Sequence, residues 1–231
     1  MEALVAARSL VVERFPGALA AFLAGSASRG TATALSDLDI VVVLGGRPAP
    51  YRETVRFASW PVELFVHDEA SLRYWYDLEA SNFRPVLAHM VATGVVLLDA
   101  GAATRLQEAA TAQLDAGPAP LAKAELLLRR YLLTDTLDDL ISAADADERD
   151  AVAGAVLTQA AELFLLNRGH WLGRSKWLVR RLTGADPRVA RDLMAAHRVA
   201  VGTGDTASLE GAAEAILDEV GGRLTEGYRA G

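Results

Sequence analysis

Two carboxylates set two residues apart behind a turn of glycines and hydroxyls are the part of this sequence best equipped for chemistry. The turn reads Gly25-Ser26-Ala27-Ser28-Arg29-Gly30, and after a short spacer the chain continues Ser36-Asp37-Leu38-Asp39-Ile40-Val41-Val42-Val43. The Ile/Val run predicts a buried strand. Residues i and i+2 of a strand leave the same face, so Asp37 and Asp39 point together. Neighbouring carboxylates repel unless a cation sits between them. Oxygen-only ligands suit Mg²⁺, which keeps several waters and takes further ligands from substrate phosphates. The preceding turn offers backbone N–H groups and the Ser26 and Ser28 hydroxyls to those phosphates. A third carboxylate, Glu63, lies inside another apolar run, Pro61-Val62-Glu63-Leu64-Phe65-Val66.

At these residues the chain resembles the nucleotidyltransferase superfamily that includes DNA polymerase β. The family pattern is Gly-Ser, a spacer, Asp-x-Asp, then a carboxylate on a later strand. Gly25 and Ser26, Asp37 and Asp39, and Glu63 match it in that order. The resemblance implies an enzyme that transfers a nucleoside monophosphate, AMP from ATP or the equivalent from another nucleoside triphosphate, to an acceptor hydroxyl. It implies one or two Mg²⁺ held by Asp37, Asp39 and Glu63. Glu63 either completes the metal site or takes the acceptor proton. Gly25, Ser26, Ser28 and Arg29 are then the phosphate-side residues of the first domain.

The elements that must position these groups follow from periodicity. Residues 2–15 carry Leu4, Val5, Leu10, Val11 and Phe15 at helical spacing, and Pro16-Gly17 ends that helix. A short apolar strand over 18–24 leads into Gly25, and residues 38–44 form the next. Residues 53–58 alternate, and the Trp60-Pro61 turn leads into 62–66, which predicts a hairpin. Residues 69–79 and 82–92 read as helices and 94–98 as a last strand. Strand-like runs then vanish. Helical periods take over at roughly 102–116, 120–143, 149–168, 175–183, 187–199 and 206–228. The expected architecture is α+β: a nucleotidyltransferase-type α/β domain with a small mixed sheet over 1–100, then an all-helical domain over 101–231. Small-molecule and antibiotic-type nucleotidyltransferases have this layout, with nucleotide and substrate handled by both parts.

The second half contributes Ser175-Lys176 at the start of a helix. It resembles the segment after the central helix of antibiotic-type nucleotidyltransferases, where a Ser or Lys reaches the triphosphate tail. A helix N-terminus has free N–H groups and a positive dipole end; Ser175 is placed to cap it and Lys176 adds a full charge. Lys176 also stands out by composition, since Lys123 and Lys176 are the only lysines among 23 basic residues, and an ammonium is a mobile point charge at a phosphate. Trp171 and Trp177 are expected in the core. Asp135 and Asp139, four apart, share a helix face and are candidates for the amino groups of a cationic acceptor. Asp147 is the expected cap of the following helix.

Composition sets limits on all of this. A hydrophobic fraction of 52% without low-complexity tracts predicts a folded chain. Absence of cysteine removes disulfides, thiol nucleophiles and Cys-based metal sites, and the four histidines lack the spacing of a zinc site. A net charge of −7 argues against long nucleic acid as a partner. No segment reaches the ~18 apolar residues of a membrane span, so a cytoplasmic protein acting on a small molecule, such as an aminoglycoside-like compound, is expected. The competing readings are a nucleotidyltransferase-type antitoxin that modifies a partner protein, and a binding module with a degenerate site.

Overall fold

The structure, a computed structural model, describes residues 2–31, 33 and 36–229. The chain divides into two compact units, residues 1–117 and 118–231. The first unit contains, in order, α1 (Ala3–Arg14), β1 (Ala20–Leu23), α2 (Gly25–Ser28), β2 (Leu38–Leu44), β3 (Tyr51–Phe57), β4 (Trp60–Asp68), α3 (Glu69–Ser81), α4 (Val86–Thr93), β5 (Val95–Asp99) and α5 (Ala103–Asp115).

The five strands form one sheet in the order β3-β4-β2-β1-β5. β2 and β4 pair in parallel, and the other neighbours are antiparallel. The expected hairpin is the β3–β4 pair. β2 is buried on both faces, which is why it reads as an unbroken Ile/Val run rather than an alternation. Leu38, Ile40 and Val42 of β2 join Val62, Leu64 and Val66 of β4 under α1. Val41 and Val43 join Phe22 of β1 and the inner faces of α3, α4 and α5 on the other side. The stripe that α1 buries is Ala6, Ala7, Leu10 and Val11. Leu4 and Val5, expected in that stripe, are exposed; the close sheet contact goes to the two alanines, whose small side chains let the helix approach.

The first unit extends past the expected boundary at residue 100. Ala103, Leu106 and Ala110 of α5 are buried in the same core as α3 and α4, so this helix belongs to the sheet domain. Helical period alone does not say which core a helix packs against.

The second unit is helical: α6 (Lys123–Ser142), α7 (Ala146–Asn167), α8 (Lys176–Ala185), α9 (Pro187–Thr203) and α10 (Ala207–Asp218). Its interior is built from Leu133, Leu137 and Leu140 of α6, the Val156–Leu166 face of α7, and buried leucines and alanines of α8, α9 and α10. Asp145, not Asp147, caps α7, accepting from the N–H groups of Asp147 and Glu148. Asp186 caps α9, with Pro187 in the first helical position. The last helix stops at Asp218, ten residues short of the expectation, because the chain turns at Gly221 and Gly222, both at positive φ. Residues 221–228 run back along α6 instead. Arg130 donates to the carbonyls of Gly221 and Gly222, Leu224 N–H donates to Thr134, and Tyr228 stacks on Tyr131 at 4.4 Å. Among the described residues no helix is long and apolar enough to cross a membrane.

Candidate active site

Asp39 and Glu63 are direct partners across the parallel β2–β4 pair. Directly paired residues project from the same face of a sheet. Asp37, immediately before β2, adds a third carboxylate from the same side. One oxygen from each of Asp37, Asp39 and Glu63 can be chosen so that all three lie within 4.8 Å of one another. Opposite ligands of an octahedral Mg²⁺ at ~2.1 Å are about 4.2 Å apart, so small side-chain rotations bring this set onto an ion. The donor set is also of the right type: hard, anionic oxygens with no nitrogen or sulfur. The three residues expected from sequence to hold a metal are therefore brought together.

The turn after β1 is shaped to the same centre. Gly25 has φ +70°, and a Cβ built there would lie 2.1 Å from Oδ2 of Asp39. Any side chain at position 25 would displace the carboxylate. The Ala24 N–H donates to the Asp39 carbonyl at 2.8 Å, locking the turn to β2. Ser26 and Ser28 follow in the single-turn α2. Ser28 donates to the Gly25 carbonyl at 3.0 Å, and the Ser26 hydroxyl lies 3.2 Å from that of Ser36. Arg29 is exposed immediately after α2.

Sequence reasoning missed Arg52. On β3 it is the partner of Phe65 and so the diagonal neighbour of Glu63 across the antiparallel pair. Its guanidinium donates to Glu63 Oε2 at 2.5 Å and stacks 4.6 Å over the Phe65 ring. Three carboxylates crowded on one face repel one another, and a divalent ion would offset that repulsion. The alternation of β3 was a signal for Arg52, but its pairing with Glu63 depends on register.

The sheet face carrying the carboxylates continues inward along β4 from Glu63 to Phe65 and His67. His67 is buried beside Ser71, with Nδ1 3.3 Å from its hydroxyl. Burial holds the His67 pKa below the usual histidine value, against the opposing pull of Asp68. On the helix above, burial raises the Glu79 pKa, although Glu79 accepts the Leu87 N–H at 2.7 Å and so holds the start of α4.

In the second unit, Lys176 is the exposed first residue of α8. Ser175 occupies the N-cap position at φ 48° but makes no side-chain capping bond, so the expected cap is not formed. The loop before it is tight. A Cβ on Gly173 would lie 2.5 Å from the Trp177 backbone. Trp171 is buried as expected, whereas Trp177 is half-buried with Arg180 and Arg181 over its ring. Asp135 and Asp139 are both exposed on α6, and between them Asp138 pairs with Arg223. Arg129, a turn earlier, is engaged by Glu125 and Glu162.

No curated protein matches the sequence significantly. The crystal structure of a nucleotidyltransferase-like protein from Exiguobacterium sibiricum is similar over 94% of this chain and 73% of its own, at 16% identity and a TM-score of 0.46. Residues 6–86 match the family model of the nucleotidyltransferase domain. That span starts in α1, ends at the start of α4, and includes the Gly25 turn and all three clustered carboxylates. Over these residues the sequence matches the nucleotidyltransferase domain that its Gly-Ser and Asp-x-Asp pattern resembles.

Proposed function

We propose that this protein transfers a nucleoside monophosphate, AMP from ATP, to a hydroxyl of a small-molecule acceptor with the help of Mg²⁺. The observation that carries the reading is the convergence of Asp37, Asp39 and Glu63 beside a glycine turn that leaves no room for a Cβ. Bound Mg²⁺ would supply charge neutralisation along the triphosphate and orient it for in-line displacement. Asp37, Asp39 and Glu63 would hold it. The backbone N–H groups and hydroxyls of the Gly25–Ser28 turn, with Arg29, take the β and γ phosphates. Lys176, one residue past Ser175, is the second unit's candidate cation for a nucleotide phosphate. In the reaction the acceptor oxygen forms a bond to the α-phosphorus as the bond to the bridging oxygen breaks. Pyrophosphate leaves, and the hydroxyl proton passes to Glu63 or to solvent. The protein's contribution is positioning and charge stabilisation, with no covalent intermediate.

The test is an acceptor screen. The chain is incubated with Mg²⁺ and α-labelled ATP against a panel of hydroxylated small molecules, scored by label transfer and pyrophosphate release. Metal-dependent nucleotide binding that is the same in wild type and Asp39→Asn would refute the reading.

A further inference from the structure

The first unit contains a cavity of about 270 Å³ lined by residues of β3, β4, α3 and α4. Its walls are mostly apolar, formed by Phe65, Trp75, Leu87 and Met90, and among its lining residues are Arg52, His67 and Glu79. A small number of polar groups converging in an apolar concavity is the usual composition of a small-molecule site. Two observations tie it to the carboxylate cluster. Phe65 is one same-face step along β4 from Glu63, about 6.7 Å. Arg52 belongs to both, donating to Glu63 and stacking on Phe65.

Strand order then gives the cavity a side. The Gly25 turn follows β1, Asp39 lies on β2, Glu63 on β4, and Arg52 on β3, in a sheet ordered β3-β4-β2-β1. The phosphate turn and the cavity therefore flank the carboxylates from opposite directions. In-line displacement requires the attacking oxygen to lie opposite the leaving pyrophosphate. If the pyrophosphate is held at the Gly25 turn, the acceptor must enter from the β4–β3 side, where the cavity is.

We propose that this cavity is the acceptor subsite, and that the acceptor is a hydroxyl-bearing amine built on one apolar ring rather than a polycationic sugar. The proposal rests on the nucleotidyl-transfer reading above. The volume lies just under the roughly 300–1,000 Å³ of drug-sized pockets, so it holds one ring-sized group with the rest of the molecule outside. Phe65 and Trp75 offer aromatic surface to the ring, and the Glu79 carboxylate matches an amine.

The experiment measures binding without turnover. Phenylethanolamine, which has a ring, an amine and an alcohol, is titrated by ligand-observed NMR into the metal-free protein. 1-Phenylethanol and neamine are the uncharged and polycationic comparisons. Phenylethanolamine should bind tightest of the three. Val86→Trp, at an exposed position on the cavity rim, should weaken it at least tenfold while leaving the affinity for Mg²⁺ with a non-hydrolysable ATP analogue unchanged. Glu79→Gln retains an acceptor for the Leu87 N–H and should erase the preference for phenylethanolamine over 1-phenylethanol. Preference for neamine, or probe binding insensitive to both variants, would overturn the proposal. Loss of nucleotide-analogue affinity in Val86→Trp would overturn it too, by giving the cavity to the nucleobase. Failure of the wild type to bind the nucleotide analogue would instead remove the transferase reading, while the probe titrations would still report on the cavity.

Discussion

The carboxylate cluster of the first unit and the Ser175-Lys176 segment of the second carry the same kind of sequence signal, a short motif beside a turn, yet they differ in how strongly the fold supports them. Around Asp39 independent constraints agree: strand pairing with Glu63, a main-chain bond to Ala24, and a glycine whose missing Cβ leaves room for the carboxylate. Around Lys176 the fold supplies a helix start and an exposed ammonium, but the hydroxyl beside it caps nothing. A site made within one sheet is specified by register. A cation that must reach another domain's ligand is specified only when that ligand is bound. Experiments that perturb each region separately make this difference measurable.

The largest effect is expected at the centre of the cluster. Asp39→Asn keeps the shape and removes one charge, so the fold should persist. Transfer should fall at least about a hundredfold, the loss seen when a preorganised electrostatic group is deleted. Calorimetry with MgATP should show metal-dependent binding in wild type and little in the variant. Retained activity would remove the cluster from the mechanism and with it the contrast between the two regions.

Lys176→Ala tests the weaker side. If the ammonium contacts the β and γ phosphates, triphosphate affinity should drop by roughly 1.5–3 kcal/mol, the scale of a hydrogen bond to a charged group. Monophosphate affinity should change far less. Equal losses for both nucleotides, or none, would make Lys176 a surface residue and leave phosphate binding to the first unit alone.

What could be read from the sequence divides along the same line. Asp37 and Asp39 were legible because a strand repeats every two residues, and Glu63 because an acid inside an apolar strand stands out. Arg52 was not, since its contact with Glu63 depends on how β3 pairs with β4. The alternation of β3 and the order of helices were readable as local periods. The allegiance of α5 was not, because an amphipathic helix has the same pattern whether it covers a sheet or joins a bundle. The end of α10 was overrun because residues after Gly221-Gly222 look compatible with a helix, but the chain turns there and binds Arg130. Asp145 and Asp147 both precede an apolar run, and only geometry selects Asp145 as the cap.

A gentler break of the first region comes from Gly25→Ala. Its positive φ and the 2.1 Å approach to Asp39 should together cost about 1–3 kcal/mol of stability, read from chemical denaturation. Metal-dependent nucleotide binding should weaken further than the stability loss explains, because Asp39 must move. A stable variant with unchanged metal binding would mean that the turn tolerates a side chain and that the glycine is not fitted to the carboxylate.

The smallest expected effect is a pH dependence within the first unit. His67 is buried in the first unit, and desolvation outweighs the attraction of Asp68, so its folded pKa lies below the ordinary 6.5. Between the folded value and 6.5 the unfolded chain binds more protons than the native one. Stability contributed by keeping His67 neutral is therefore fully present above pH 6.5 and is lost as pH falls through the folded pKa. Glu79, which shares the cavity, is shifted upward by burial and gives the opposite slope, with stability lost as pH rises from 4.5 through its folded value. His67→Gln removes one of these slopes and leaves the other. Its stability should decline less than that of wild type between pH 7.5 and 5.5, by no more than about 1.4 kcal/mol per pH unit for one proton. Glu79→Gln should change the profile in the reverse sense. Parallel profiles for wild type and His67→Gln would show that the histidine is solvated, and that the floor of the cavity next to the carboxylates is wet rather than apolar.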